Sequence, residues 1–394
     1  MGTKKIAYVN FKMLVWAREE TPFKTPDMVE MEFPNISAGD IRKWESGKEL
    51  PSITEAKKLA QIYKVPFASF FLSDLPSKKP RAYTDRRTVV GTIYGDTSYS
   101  LWREIQRMLS DRDSMIEYSE GLDWNSFVIP AIDKYKNDVV AISKAIRRYL
   151  GLETPLKSKT AFGQNPFSYY RTILERKNII VSQISGVSLS EMKGISIYYD
   201  HFPIIAVNNQ DYDRAKVFSL FHELAHIFRR SSSLCMIDFD ERNDNEEKLC
   251  DRIAAESLMP EMEFLQIANT CLGNGGDWDL TSLEKVGGRF GVSPVAVLRR
   301  LYELKQMSFT EYTSVYSVLS EEFDKNRDQI DLSRKKNDFR VKYHYVYLNQ
   351  HGYLFPQTIY RAYASGNISM GEMCKVLNIK TKHIGGIEQA VMFK

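Results

Sequence analysis

Apolar side chains return every three to four positions between residues 99 and 153, in SLWREIQRMLSDRDSMIEY and DVVAISKAIRRYLGL, which is the spacing of one buried helix face. Past residue 175 the period shortens. NIIVSQI, GISIYYD and FPIIAVN are short β-branched and aromatic runs bounded by Gly, Asp, Pro and Asn, and they predict three strands. The helical period resumes near Asp211 or Asp213, and a second helix, NEEKLCDRIAAESLMP, stops at Pro260. TSLEKVGGRFGVSPVAVLRRLYELK then predicts a helix, a glycine-containing turn and another helix.

The first 75 or so residues predict short helices. Phe11, Leu14, Val15 and Ala17 form one apolar stripe, PDMVEMEF another, and Ser52 with Glu55 has the spacing of a capping box. LPSKKPRAYTDRRTVVGTIYGDTS, rich in Pro, Ser, Thr, Gly and basic residues, predicts a linker. A polar, charged stretch near 319–338 precedes a closing mixed, mostly helical region, and no repeat of fixed period is present. The pattern predicts a mainly α protein with a small antiparallel sheet (α+β). The expected organisation is an all-α module at 1–76, a linker at 77–98, a central domain at 99–270, a helix-turn-helix-like segment at 271–310 and a helical region at 311–394.

Composition narrows the function classes only a little. A net charge of +4 over 394 residues permits a nucleic-acid partner without arguing for one, since dedicated DNA binders concentrate more positive charge. The four cysteines, Cys235, Cys250, Cys271 and Cys374, show no paired or finger-like spacing, which predicts reduced thiols rather than a disulfide frame or a cysteine-zinc site. No run reaches 18 uninterrupted apolar residues, and charges interrupt the N-terminal apolar run too early for a signal peptide, so the expectation is a cytoplasmic protein without a membrane span.

The candidate chemistry lies in FSLFHELAHIFRR, residues 218–230. Residues four apart share a helix face, so His222 and His226 can reach one ion, and neutral imidazoles suit Zn2+. Glu223, rotated by about 100 degrees, can take a proton from water without being a ligand. The surrounding Val217, Phe218, Leu220, Phe221, Leu224, Ala225, Ile227 and Phe228 predict a buried helix. Two solvated histidines on a surface helix would not need that apolar setting. A third ligand must come from Asp238, Asp240, Glu241, Asp244, Glu246, Glu247 or Asp251. Glu247 and Asp251 are four apart, so Glu247 could ligate while Asp251 accepts a hydrogen bond from the far nitrogen of a ligand histidine; Glu246 competes for the first role. Tyr198, Tyr199, His201 and Tyr212 precede the helix and are candidates for stabilising an oxyanion.

DRAKVFSLFHELAHIF, EKLCDRIAAESLMP, LEKVGGRFGVSPVAVLRRLYEL and PRAYTDRRT together resemble the ImmA/IrrE-type metallopeptidases over most of the chain. The resemblance implies a zincin-like centre and, by aligning the Leu-Met-Pro ends, puts Glu247 on the family's third zinc ligand. Cys250 and Asp251 stand where the family usually has Ala-Asn. It also implies a protein substrate, either a repressor or a toxin-antitoxin partner, because relatives inactivate a repressor by limited proteolysis or sit beside toxins in mobile elements. The alternative is an antitoxin or transcriptional regulator that binds a PIN-like toxin and operator DNA with little or no proteolysis; a non-proteolytic zinc scaffold is a further one.

ISAGDIRKWESGKELPSITEAKKLAQIYKVPFASFF resembles the XRE (Cro/C1-type) helix-turn-helix, through Ile41-x-x-Trp44-Glu45-x-Gly47, Pro51-Ser52 and the Leu59 to Pro66 stretch. In such a fold Asn35, Ser37, Ala38, Arg42 and Lys43 would meet DNA, with Lys48 near its backbone. Gly39 and Asp40 within the reading helix, and Glu30, Glu32, Glu45 and Glu49 around it, weaken it as a DNA surface. Such a fold can serve instead for protein docking or as a homodimer interface, so operator DNA and a protein both stand as its partner.

Overall fold

The computed structural model describes residues 5–76, 97–119, 129–130, 132–152, 162, 165–231, 233–235, 244–272, 278–321 and 341–392. The chain divides into two compact units, residues 1–109 and 110–394. Most of the expected linker (77–98) and most of the polar stretch near 319–338 lie outside the described residues.

The first unit is built from α1 (Phe11–Glu19), α2 (Pro26–Glu32), α3 (Ala38–Glu45), α4 (Ile53–Ile62) and a 3-10 turn (Phe67–Phe71). Each start has a local cause. Asn10 and Ser37 cap α1 and α3, Pro26 pre-sets the first turn of α2, and Ser52 with Glu55 closes a reciprocal capping box on α4. The Ile41-to-Gly47 motif gets a physical meaning here. Ile41 and Trp44 enter a core with Leu14, Val29, Leu59 and Phe70. Glu45 receives two hydrogen bonds from the buried Arg18 guanidinium, at 2.8 and 3.1 Å, tying α3 to α1. Gly47 follows α3 with φ at +71°, where a side chain would be strained.

α5 (Tyr99–Tyr118) carries the chain into the second unit, which continues with α6 (Val139–Leu150) and α7 (Pro166–Glu175). The strands β1 (Ile180–Ile184), β2 (Gly194–Ile197) and β3 (Ile204–Asn208) are buried along their whole length. Next come α8 (Asp213–Phe228), β4 (Ser233–Cys235), α9 (Asp244–Leu258), α10 (Glu261–Cys271), α11 (Leu280–Phe290) and α12 (Pro294–Glu303). After a helix over 309–321, the described chain closes with α13 (Tyr343–His351), α14 (Leu354–Ala364), α15 (Met370–Val376) and α16 (Ile384–Met392).

The mainly α, α+β class holds, but the sheet is mixed rather than antiparallel throughout. Its order is β1-β3-β2-β4, with β1 parallel to β3 and the other two pairings antiparallel. After β1 the chain skips one position, lays down β2, and returns through a hairpin to fill the gap with β3. That order makes β1 and β3 run the same way. The fourth strand is three residues long and has no alternation that would announce it. One face of the sheet supports α8, whose apolar residues join those of α6, α7, α9, α11 and α12 in the main core.

Candidate metal centre

α8 is buried on nearly every side, yet its C-terminal half brings His222, Glu223 and His226 inside, of which Glu223 is 0 % exposed. Burying such groups is costly unless each has a partner, so the partners define the site. α9 supplies most of them, and is held to α6 by Ser143 Oγ donating to Ile253 O (3.1 Å) and Arg147 Nη1 donating to Ser257 O (2.8 Å).

The ring orientations follow from the far nitrogens. His222 Nδ1 lies 2.8 Å from Asp251 Oδ1, a carboxylate that can only accept, so Nδ1 has a partner for a proton. His226 Nδ1 lies 3.2 Å from Ser231 Oγ, whose own hydrogen goes to His226 O at 3.2 Å. The serine oxygen is thus left to accept from Nδ1. Each imidazole thus has an outer partner able to hold its proton on Nδ1 when an ion takes the Nε2 lone pairs, and those two Nε2 nitrogens are 3.2 Å apart. Glu247 completes the triangle, its Oε2 3.0 Å from His222 Nε2 and its Oε1 3.4 Å from His226 Nε2.

Three electron-pair donors converging at 3.0–3.4 Å have the spacing of a metal's ligand shell. A tetrahedral ion with bonds of about 2.0–2.2 Å separates its ligand atoms by about 3.3–3.6 Å. The donor set, two imidazoles and one carboxylate, leaves a fourth position open. The residues fit a first-row divalent ion.

Without an ion, the same ring nitrogens face Glu247 as hydrogen-bond partners. Burial alone would raise the Glu247 carboxyl, but hydrogen bonds and charge from His222 and His226 outweigh it and hold the group well below the usual carboxylate range. Asp251 is likewise lowered against the pull of burial, by His222 and by Arg299. Arg299, on α12, donates from Nη2 to Asp251 Oδ2 at 2.6 Å and pairs through Nε with Glu303 at 3.3 Å. The next residue, Arg300, pairs with Glu256 on α9. Burial pushes the Cys250 thiol up, so it is a neutral neighbour 3.6 Å from His226 Nδ1.

The other acidic candidates fall elsewhere. Glu246 is paired with Arg229, its Oε2 accepting from Nη2 at 2.9 Å, although it also lies in a looser group with His226 and Cys250. Asp238, Asp240 and Glu241, and the side chain of Asp244, lie outside the described residues. Tyr198 donates its hydroxyl to Asp200 at 2.6 Å, the Tyr199 ring is covered by the Arg112 guanidinium at 3.5 Å, His201 O accepts from Arg112, and Tyr212 is the residue just before α8. Arg299 and Ser231 were not signalled by sequence, because neither has a fixed spacing to the histidines.

On and beside α3, Asn35, Ser37, Arg42, Lys43 and Lys48 are exposed, but Ala38 is buried and cannot touch a base, which corrects its expected role. Ser37 Oγ accepts from Gly39 N at 3.1 Å as the helix cap. Arg42 pairs with Asp27, and Lys43 with Glu49 at 3.0 Å.

Residues 183–302 match the Peptidase M78 family, described as the IrrE N-terminal-like domain. The matched span contains His222, Glu223, His226, Glu247, Asp251 and Arg299, and it supports an ImmA/IrrE-type metallopeptidase. No curated protein matches the chain. No described helix is long and apolar enough to cross a membrane.

Proposed function

We propose that the chain is a zinc-dependent endopeptidase that cuts a partner regulatory protein, with His222, His226 and Glu247 as metal ligands. The observation that carries this reading is the convergence of His222 Nε2, His226 Nε2 and the Glu247 carboxylate at 3.0–3.4 Å inside a buried helix pair. When bound, the ion supplies Lewis acidity that acidifies water and polarises a peptide carbonyl. The remaining work belongs to the chain's own residues. Glu223, adjacent to His222 on α8, accepts the proton of the attacking water and returns it to the leaving amine. Asp251 keeps His222 in the tautomer that presents Nε2, and Arg299 keeps Asp251 ionised and in position. Two imidazoles and one carboxylate with an oxygen- or nitrogen-rich setting suit zinc better than a soft-metal site, since the one nearby thiol, Cys250, is held neutral.

The N-terminal unit is proposed as a repressor-type (XRE-like) helix-turn-helix that recognises the partner. Its short helices and the core role of Ile41 and Trp44 support that fold. The basic residues of α3 are matched by Asp27 and Glu49, which favours a protein surface over a phosphate backbone. The decisive test of the chemistry is Glu223→Gln. Its expected outcome is unchanged metal content with hydrolysis of casein, or of the partner in cells, reduced by on the order of 10²–10⁴-fold. A partner phenotype in cells that survives the substitution unchanged would sink the peptidase reading, whereas undiminished hydrolysis would take the proton-acceptor role from Glu223.

A further inference from the structure

β2 opens with a glycine that its backbone does not need. Gly194 is paired on both sides, with Val207 of β3 and Cys235 of β4, in a strand that otherwise reads Ile-Ser-Ile and is wholly buried. Glycine weakens a strand interior, because it has no side chain to pack and loses more freedom on folding. Gly194 is also absent from the glycines with positive φ, so conformational freedom is not the reason for it.

The reason lies across the gap on α8. A methyl group on Gly194 would stand 2.4 Å from Glu223 Oε1, 2.9 Å from its Cγ and 3.0 Å from its Cδ. Those are collisions with the reacting end and the stem of the same side chain. Glu223 cannot simply swing aside, since it is fully buried between the sheet and the histidines' helix. Gly194 and Ser196 share one face of β2, so the small residues of the strand lie together.

We propose that Gly194 is a positioning residue: its bare backbone forms the seat that fixes the Glu223 carboxylate beside the two histidines. A side chain at 194 would displace the proton acceptor while leaving the ligands in place. The catalytic part of this proposal rests on the endopeptidase reading, but the steric part does not.

A double-mutant cycle on the metal-stripped protein separates the two. Thermal midpoints would be measured for the wild type, Gly194→Ala, Glu223→Ala and the double variant. The expected result is that Gly194→Ala lowers the midpoint by several degrees when Glu223 is present and does not lower it once Glu223 is alanine. An equal drop in both backgrounds overturns the proposal, and that comparison holds even if Gly194→Ala folds poorly. Metal analysis and casein hydrolysis complete the test: Gly194→Ala should carry wild-type metal and fall to the activity of Glu223→Gln. Coupling in the cycle together with a metal-loaded wild type that hydrolyses neither casein nor the partner would leave Gly194 as the seat of Glu223 and reject the endopeptidase reading. Loss of activity in Glu223→Gln without coupling would do the reverse.

Discussion

Between α8 and α9, His222, His226, Glu247 and Asp251 are drawn from water and each is held by at least one named partner. On the outer face of α3, Arg42 and Lys43 stand in solvent and each meets a single acid, Asp27 or Glu49, that is itself exposed. The two regions spend charge differently. Exposed pairs of the second kind contribute little to stability and exchange partners readily, which suits a surface that meets another molecule. A buried group of like function persists only if the arrangement over-determines its position, which suits a site where a fraction of an ångström matters.

That contrast can be broken at several points, beginning with the largest effect. Glu247→Ala should empty the centre, lowering zinc affinity by more than about 100-fold, because it removes a ligand and leaves two facing imidazoles. Isothermal titration of the metal-stripped protein measures it, and wild-type affinity would move the third ligand to Glu246 or another acid. Asp251→Ala should weaken zinc by about 10–100-fold, and Arg299→Ala by less, since the arginine acts through Asp251. An Arg299→Ala effect larger than that of Asp251→Ala would reverse the order of the chain. Deleting residues 1–76 should leave one zinc per chain while abolishing recognition of the partner; loss of metal, or unimpaired action on the partner, contradicts the division of labour. The smallest change is expected of the Arg42→Ala, Lys43→Ala pair on duplex DNA. Fluorescence titration at two salt concentrations should show weak binding that ignores the substitutions. A salt slope reduced by about two would assign the α3 face to DNA instead.

Local rules were legible in the chain, and long-range pairings were not. The capping box at Ser52 and Glu55, the helix over 213–228 and the stop at Pro260 each rest on neighbours within four residues. The histidine pair is of the same kind, since helical phase alone brings His222 and His226 together. Glu246 and Glu247 show where that kind of reasoning needs help. They are adjacent in sequence, but a rotation of about 100 degrees sends one to Arg229 and the other to the imidazoles. Arg299 reaches Asp251 across 48 residues, and β1 reaches β3 past β2; no local pattern encodes either. In the sequence Gly194 marks only the edge of a strand run, because its meaning depends on a side chain 29 positions later.

The adjacent arginines of α12 also say where this molecule can be shortened. Arg299 and Arg300 grip Asp251 and Glu256 on α9 from a helix that closes at Glu303. A chain ended after α10 would strand both carboxylates, and severing a buried pair such as Arg300 with Glu256 typically costs about 3–5 kcal/mol. The helices after residue 280 are therefore not an appendage to be trimmed from the metal centre; a fragment intended to bind zinc should run through Glu303, one residue past the end of the family match.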